Sequence, residues 1–275
     1  ARAITAIADG SSTPLQRNLR VIKREALKIN QISVRIEMLK KLVLIICFIP
    51  LVATAADETE IPGGWKGEGE LGFTSTSGNT DSETLIANLG VSKELELWKH
   101  SAVLKTIKAE TDDVESADSL QLKARSDYKI SEKSYLFGQL RYEDDEFSGY
   151  DYQTSLAFGI GSRVIENEQH LLDLYAGLGT RSLKDAETGD SEEDAIIAAG
   201  LLYEYKISET AIFNQRFDIE EGDENTHTES ETSLKLNIAG NLAAKIAYLV
   251  KRNSEVPAGT EKSDKLTTIS LVYGF

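Results

Sequence analysis

From residue 64 onward the chain alternates apolar and polar residues with a period of two. This period places apolar side chains on one face of a β-strand, whereas a helix would need a period of 3.6. Beyond residue 55 no segment of helical length carries an apolar stripe. The clearest apolar runs are Leu85-Ala87-Leu89-Val91, Leu156-Phe158-Ile160, Leu172-Leu174-Ala176-Leu178, Ala195-Ile197-Ala199-Leu201, Leu234-Leu236-Ile238, Ala244-Ile246-Tyr248-Val250 and Ile269-Leu271-Tyr273-Phe275. The pattern predicts an all-β protein.

The face between these apolar positions is rich in Lys, Arg, Glu, Gln and Gly. A soluble β-sandwich or lipocalin-like barrel would place bulky apolar residues inside, so the pattern favours a transmembrane barrel with lipid outside and a polar lumen. In the fourth strand we expect Leu122 to face lipid and Lys123 the lumen, where Lys123→Glu would be tolerated. The residues predicted to line the lumen are Lys123, Arg125, Asp127, Arg141, Arg216, Glu229, Glu231, Lys235 and Lys245.

The connections between strands alternate in length. Short polar turns are predicted near residues 94–96, 131–134, 166–168, 208–209 and 239–241. Longer connections are predicted at residues 75–82, 112–118, 143–149, 183–193, 220–226 and 253–264. Tight periplasmic turns and longer outer loops are typical of an up-and-down outer-membrane barrel. Six long and five short connections predict twelve antiparallel strands, with both ends of the barrel chain on the periplasmic side.

Aromatic residues occur near the predicted strand ends, where a ring with one hydrated edge suits the membrane interface. The tyrosines assigned to this girdle are Tyr142, Tyr150, Tyr152, Tyr203, Tyr205 and Tyr273. The outward residues Tyr273 and Phe275 of the last predicted strand also form an aromatic ending of the kind read by the outer-membrane insertion machinery. We therefore expect that machinery as a partner.

An export signal is predicted at residues 38–55. Met38 is followed by two lysines and an apolar segment at residues 42–52, and Ala53 and Ala55 fit the small-x-small rule for cleavage. The apolar segment is about half the ~20 residues of a spanning helix, which favours a removed signal. Residues 1–37 are expected to be upstream sequence absent from the native product, or else an N-terminal extension, and residues 56–275 to form the barrel.

Charge and cysteine content narrow the possible functions. Without residues 1–55 the chain would carry 21 Lys/Arg and 42 Asp/Glu, a net charge of −21 against −15 for the full sequence. Such an acidic chain is not expected to bind nucleic acid, because that affinity comes from neutralising phosphates. The single cysteine, Cys47, lies in the predicted signal, which excludes disulfides from the mature part. Lipid and lipopolysaccharide are the expected surroundings, and no cofactor is expected.

Several short motifs resemble a bacterial family of unknown function whose members are often labelled salt-stress-induced outer-membrane proteins. They are GEGELGF at 67–73, SGNT at 77–80, YLF at 135–137, YEDDEFSGY at 142–150, GIG at 159–161, NLA at 241–243, PAG at 257–259 and LVYGF at 271–275. The resemblance covers residues 63–275. It implies an outer-membrane location and an expression linked to salt or osmotic stress, and it implies no catalytic residue.

Three classes of function follow. The first is a narrow channel whose lumen charges set selectivity. The second is a barrel filled by those side chains, which would support the envelope without transport. The third, an outer-membrane hydrolase, would need a serine and a histidine whose side chains meet; His100 and Ser101 point to opposite faces of a strand, and His227 is predicted in a loop. The acidic loop at residues 185–194 lacks the ligand pattern of a calcium loop, and no metal site is expected.

Overall fold

The computed structural model describes residues 64–76, 82–112, 114–145, 148, 150–186, 189–223, 225–256 and 260–275. The predicted export signal with Ala53 and Ala55, and the predicted extension at residues 1–37, lie outside the described residues. In the part that is described, no helix is long and apolar enough to cross a membrane.

Twelve antiparallel strands form one closed barrel in which each strand pairs with its neighbours in sequence and β1 pairs with β12. This confirms the predicted fold class and strand number. The strands are β1 Trp65–Thr76, β2 Ser82–Glu94, β3 Trp98–Thr111, β4 Val114–Lys129, β5 Ser134–Asp145, β6 Tyr150–Glu166, β7 His170–Asp185, β8 Ser191–Lys206, β9 Ala211–Gly222, β10 Thr226–Ala239, β11 Leu242–Asn253 and β12 Ser263–Gly274.

The barrel is closed by the seam between β1 and β12. Glu68 lies opposite Gly274 and Gly72 opposite Ser270. Beyond the last ladder pair, the Gly67 amide donates to the Phe275 carbonyl at 2.7 Å, and the Phe275 amide donates to the Gly67 carbonyl at 2.9 Å. The ladder of this seam joins residues 68–72 of β1 to residues 270–274 of β12 and so closes the sheet on itself, which is the way a β-structure becomes compatible with hydrocarbon.

Side chains alternate between the two faces of the barrel wall, as the period of two predicts. In β12, Ile269 and Leu271 are more than half exposed on the outside, whereas Ser270 and Val272 between them are buried inside. The apolar runs of the other strands face outward in the same way, and Phe158, Leu178 and Ile197 are among their most exposed members. The apolar face is therefore on the outside, where a transmembrane barrel meets lipid.

The hairpins are longer than the sequence predicted, and so the outer connections are shorter. Most of the predicted loop at 112–118 belongs to β4, which begins at Val114, and Asp112 before it has a φ of 50°. The remaining connections at the end predicted to face outward are 77–81, 146–149, 186–190, 223–225 and 254–262. The turns at the other end, which is predicted to be periplasmic and is named so below, are 95–97, 130–133, 167–169, 207–210 and 240–241. Polar residues ended the apolar pattern but not the backbone ladder, since a ladder needs only paired N–H and C=O groups.

Aromatic side chains cluster on the outside near the strand ends. Trp98 contacts Tyr128 with ring centroids 5.0 Å apart, and His170 stacks on Tyr205 at 4.7 Å. Tyr150 does not belong to this outer girdle, contrary to the prediction. It is buried, and its hydroxyl donates to the Glu255 carbonyl at 3.2 Å.

The backbones of β6 and β7 approach closely where two glycines face each other, and we call this pairing the β6–β7 corner. A Cβ added to Gly159 would lie 2.2 Å from the Ala176 carbonyl oxygen, and one added to Gly177 would lie 2.3 Å from that of Phe158. The absence of side chains lets these two backbones approach. In a ring of twelve, this corner lies opposite the β12–β1 seam. The strands β3–β5 and β9–β11 form the two walls between these corners.

Candidate functional site

The lumen is bridged by side chains from strands on opposite walls. Lys123 on β4 places its Nζ 3.1 Å from Glu229 Oε2 on β10, and Gln121 Nε2 donates to the same oxygen at 3.0 Å. These two strands are six apart in a ring of twelve, which is the largest separation possible. Side chains just fill the interior of an eight-stranded barrel. The diameter of a circular barrel grows with the number of strands, so that of a twelve-stranded barrel would be about 1.5 times as large. Contact across the lumen therefore requires a flattened cross-section.

A second bridge joins β5 to β11, again six strands apart. Lys251 Nζ forms an ion pair with Glu143 and lies 3.5 Å from Asp145 Oδ2. Arg141 extends the bridge to β9, because its Nη1 lies 2.6 Å from Glu143 and its Nη2 lies 2.8 Å from Glu220. Arg141 is 2 % exposed. The charged groups that meet in this layer satisfy one another, as buried charges must.

A third group of ion pairs lies nearer the periplasmic end and is built around Glu231. Lys245 Nζ lies 2.9 Å from Glu231 and 3.1 Å from Glu70, and Lys105 Nζ lies 3.6 Å from Glu231. Arg216 Nη2 lies 3.4 Å from Glu231 and 3.5 Å from Glu229. Arg216 thus connects this group to the first bridge.

Asn225, which precedes β10, is buried at the outer end of the lumen and links three parts of the chain there. Its side-chain oxygen accepts hydrogen bonds from the amides of Ser254 at 2.9 Å and Glu255 at 3.2 Å. Its Nδ2 donates to Asn253 Oδ1 at 3.1 Å, and its carbonyl accepts from Arg181 Nη2. The turn before β10, the loop after β11 and the wall at β7 are thereby tied together over the mouth. Asn225 and Arg181 are each 1 % exposed.

His227 lies directly below these contacts. It was predicted in an outer loop, but it is buried on β10, where its Nδ1 lies 3.0 Å from Asn253 Oδ1. Its Nε2 has no hydrogen-bond partner among the described residues. It borders an enclosed cavity of about 10 Å³, which is also lined by Arg141, Glu220 and Glu229. That volume suits roughly one water molecule, and a polar cavity with an unpaired ring nitrogen suits one chemically.

The side wall of the lumen is filled by an aromatic cluster on β5 and β7. The guanidinium of Arg125 lies 4.3 Å from the ring centroid of Phe137 and 4.4 Å from that of Tyr175. Arg125 Nε also donates to Asp127 at 2.8 Å. The Tyr175 hydroxyl donates to Asp218 at 2.5 Å, which ties the cluster to the network on β9.

The periplasmic half of the lumen is open by comparison. Lys235 pairs with Glu68, but the Glu68 side chain is 45 % exposed. By contrast, the Glu229 side chain in the first bridge is 1 % exposed. We call the part of the lumen towards the outer loops, where the described side chains are buried, the sealed half, and the more exposed part towards the chain ends the open half.

The structure places all nine predicted lumen residues inside the barrel, each with an oppositely charged partner. It does not bring them into one site, because Lys235 lies in the open half and Arg141 in the sealed half. Residues that the sequence analysis did not assign to the lumen include Glu143, Arg181, Glu220, His227 and Lys251. Most of these residues lie where loops were predicted. Continuing the inward–outward alternation of each strand beyond its predicted end would have assigned them to the lumen.

One serine and one histidine do meet, at a place the sequence analysis did not consider. His100 Nδ1 lies 2.9 Å from Ser126 Oγ on the outer face of β3 and β4. A hydrolase also needs a group that orients the imidazole and donors that stabilise the oxyanion. No carboxylate of the described residues contacts His100, and the strand amides around it are engaged in the ladder. Among the described residues no cluster of His, Cys, Asp and Glu side chains could hold a metal ion.

Comparison with solved structures finds outer-membrane barrels. The chain is similar to an outer-membrane channel from Pseudomonas putida F1, with a TM-score of 0.49, 11 % identity and coverage of 82 % of this chain and 100 % of that one. It is also similar to the translocator domain of the autotransporter NalP from Neisseria meningitidis, with a TM-score of 0.46, 13 % identity and coverage of 91 % and 98 %. These similarities concern the fold.

Comparison of sequences finds a relative in Escherichia coli K12, the uncharacterized protein YdiY. The two are 29 % identical over 214 residues, which cover 75 % of this chain and 82 % of the relative. A family profile matches residues 69–275, most of the sequence and nearly all of the barrel. The resemblance deduced from the motifs is confirmed: the chain belongs to the family described as protein of unknown function, DUF481.

Proposed function

We propose that this protein is an outer-membrane β-barrel with a sealed lumen, which serves as a structural component of the envelope and has no open diffusion pore. The observation that carries the proposal is the pair of bridges between opposite walls, Lys123–Glu229 and Lys251–Glu143. A pore needs a continuous hydrated path. Side chains that meet across the full width of the lumen obstruct such a path, which supports the proposal.

The proposed location rests on the closed barrel with its apolar outer face and aromatic strand ends. Hydrocarbon tolerates a β-structure only when every backbone group is paired within it. We further propose that the insertion machinery reads Tyr273 of β12 and Phe275, which follows that strand; both are more than half exposed. Lipopolysaccharide would face the outer connections. The link to salt stress stays a prediction of the resemblance.

A gated narrow channel is the second candidate, and the open periplasmic half of the lumen favours it. Solutes could enter as far as the level of Glu231, and only the outer half blocks further passage. Catalysis has less support, because the Ser126–His100 pair lacks an orienting carboxylate among the described residues. We therefore propose no enzymatic activity.

Planar-bilayer recording of the refolded protein tests the proposal. We expect no stepwise conductance from the wild type at low voltage. A variant that removes the two bridges and the seal together, Lys123→Ser with Lys251→Ser and Asn225→Gly, is expected to conduct if it still folds. The matched control is Lys235→Ser, which alters a lumen lysine in the open half and should stay silent. Stable unitary conductance of the wild type would overturn the sealed barrel in favour of the channel.

A further inference from the structure

A shallow recess crosses the lipid-facing surface of β2–β6. It has a volume of about 510 Å³, and its floor consists of small residues, Ala102, Ala124, Ser126 and Gly138. These residues are directly paired across the ladder: Ala102 lies opposite Ala124, and Ser126 lies opposite Gly138. The recess is therefore built by small side chains in two adjacent rows of the sheet.

Large apolar side chains border the recess. Trp65, Leu140, Leu156 and Phe158 lie along it, and each is at least 40 % exposed. A Cβ added to Gly138 would come within 3.1 Å of the Phe158 ring. The missing side chain at residue 138 thus both deepens the recess and lets Phe158 lie along its edge.

The recess runs obliquely from the periplasmic end towards the middle of the wall. One row of paired residues leads from Val91 through Ala102, Ala124 and Leu140 to Leu156. Val91 lies three residues from the periplasmic end of β2, and Leu156 lies ten residues from that of β6. Four spacings of ~4.8 Å make the row roughly 19 Å long. This length and this slope suit one extended acyl chain.

A positive charge stands at the periplasmic end of the recess. Lys93 lies opposite both Trp65 and His100, and its Nζ is 5.6 Å from the centroid of the Trp65 ring. No carboxylate of the described residues forms an ion pair with Lys93, although the chain has a net charge of −15. At a membrane interface an amine without a counterion attracts an anionic headgroup.

We propose that this recess is a binding site for an anionic phospholipid of the inner leaflet. One acyl chain lies on Ala102, Ala124 and Gly138, and the phosphate lies beside Lys93 and His100. The site rests on the proposed outer-membrane location, because only that orientation places Lys93 at the headgroups of the inner leaflet. On the opposite wall, by comparison, one paired outward row consists of Gln215, Thr232, Tyr248 and Thr267, which are larger or more polar than this floor.

Tryptophan fluorescence offers a direct test, because the sequence contains two tryptophans and both lie at this end of the barrel. Trp65 borders the recess, and Trp98 stacks on His100 with ring centroids 5.6 Å apart. The protein is refolded into phosphatidylcholine vesicles that contain a small fraction of phosphatidylglycerol with brominated acyl chains. Brominated phosphatidylcholine at the same fraction serves as the reference. We expect the anionic lipid to be enriched about fivefold next to the tryptophans relative to phosphatidylcholine. This is the enrichment that the attraction of one basic residue for an anionic headgroup produces.

Two variants test the contact with the lipid headgroup and the contact with the acyl chain separately. Lys93→Gln should abolish the preference for the anionic lipid and leave the barrel intact. Ala124→Leu should fill the recess and reduce quenching by both lipids, whereas Ala244→Leu on the outer face of β11 should not. Each variant is compared only when its unboiled sample still shows the gel mobility of the folded barrel.

Equal quenching of the wild type by the two brominated lipids would overturn the lipid site, and so would a preference that survives Lys93→Gln. In either case quenching would still occur, and the barrel would still be in the bilayer. If neither lipid quenched the tryptophans at all, membrane insertion itself would be wrong and the proposed function would fail with it. The two failures are therefore distinguishable.

Discussion

The two halves of the lumen contain the same kinds of charged residue but differ in their access to water. In the outer half, Arg141, Glu143 and Glu220 are almost completely buried and are joined by contacts of 2.6 to 2.8 Å. In the periplasmic half, the pair Lys235–Glu68 lies at an open mouth. An ion pair excluded from water is costly to break, because removal of one partner leaves the other charge buried without a counterion. An exposed pair contributes little.

This difference explains how a polar lumen can still be closed. The alternation of apolar and polar residues places the charged side chains in the lumen, but it does not determine whether water surrounds them there. In the outer half, side chains from opposite walls meet, and Asn225 covers the mouth. Nearer the periplasmic end, ion pairs also join separated strands, for example Lys105 on β3 with Glu231 on β10, but the pair Lys235–Glu68 at the mouth is more exposed. The two halves therefore differ in the exposure of their ion pairs and not in the kinds of residue that form them.

Replacement of Arg141 by alanine should produce the largest contrast between the halves. Arg141→Ala leaves Glu143 and Glu220 with one partner fewer in a buried site, and we expect a loss of about 3–5 kcal/mol in the free energy of unfolding. Lys235→Ala at the open mouth should cost less than about 1 kcal/mol. Urea titration of the refolded barrels in detergent, followed by tryptophan fluorescence, measures both. Similar losses for the two variants would show that the halves do not differ.

Two adjacent positions on β4 give the next test. Leu122→Arg places a charge on the lipid face and should cost about 2–4 kcal/mol near the midplane. The sequence predicted that Lys123→Glu would be tolerated. Since Lys123 Nζ lies 3.1 Å from Glu229 and 3.3 Å from Asp218, the structure contradicts this: three carboxylates would meet.

We therefore expect Lys123→Glu to reduce refolding yield into vesicles at least as much as Leu122→Arg does. Lys123→Gln, which keeps a hydrogen-bond donor without adding a negative charge, is the control and should refold better than Lys123→Glu. Normal folding of Lys123→Glu would mean that water reaches this level of the lumen.

The narrow cross-section can be tested at the β6–β7 corner. In Gly177→Ala the new methyl group would lie 2.3 Å from the Phe158 carbonyl oxygen, and overpacking of this kind costs about 1–3 kcal/mol. Gly69→Ala is the matched control in the opposite seam, because an added Cβ there meets nothing within 4 Å. Thermal unfolding of the two variants should separate them. If Gly177→Ala unfolds at the wild-type temperature, the corner is not as tight as the contacts indicate.

The smallest effect concerns the cover of the outer mouth. Tyr150→Phe removes one hydrogen bond, from the Tyr150 hydroxyl to the Glu255 carbonyl, and should cost about 0.5–1.5 kcal/mol. Because the bond ties the loop after β11 to β6, amide hydrogen exchange of residues 254–256 should accelerate. Exchange at the periplasmic turn 207–210 should not change. Unaltered exchange in both regions would show that the hydrogen bond of Tyr150 does not stabilise the loop after β11.

The strands and their faces were predictable because both depend on local alternation. Leu122 and Lys123 were assigned to the correct sides of the wall, and Ile269 and Leu271 to the outside. The contact between Lys123 and Glu229 was not predictable, since it joins residues 106 positions apart through the width of the barrel. His227 was misplaced because polar sequence at a strand end looks like a loop, although the backbone ladder continues through it. Tyr150 was placed at the correct strand end but on the wrong face, because the ladder shifts its register between Tyr150 and Tyr152.

Cysteine labelling compares the two halves most directly, because the sequence has a single cysteine, which lies in the predicted signal. Ser155→Cys places a thiol in the sealed half, where Ser155 is 2 % exposed, and Glu68→Cys places one in the open half. Both variants of the folded barrel are treated with a charged, membrane-impermeant maleimide in detergent. We predict rapid modification at residue 68 and none at residue 155 until the barrel is unfolded. Modification of the folded barrel at residue 155 as fast as at residue 68 would contradict a sealed outer half.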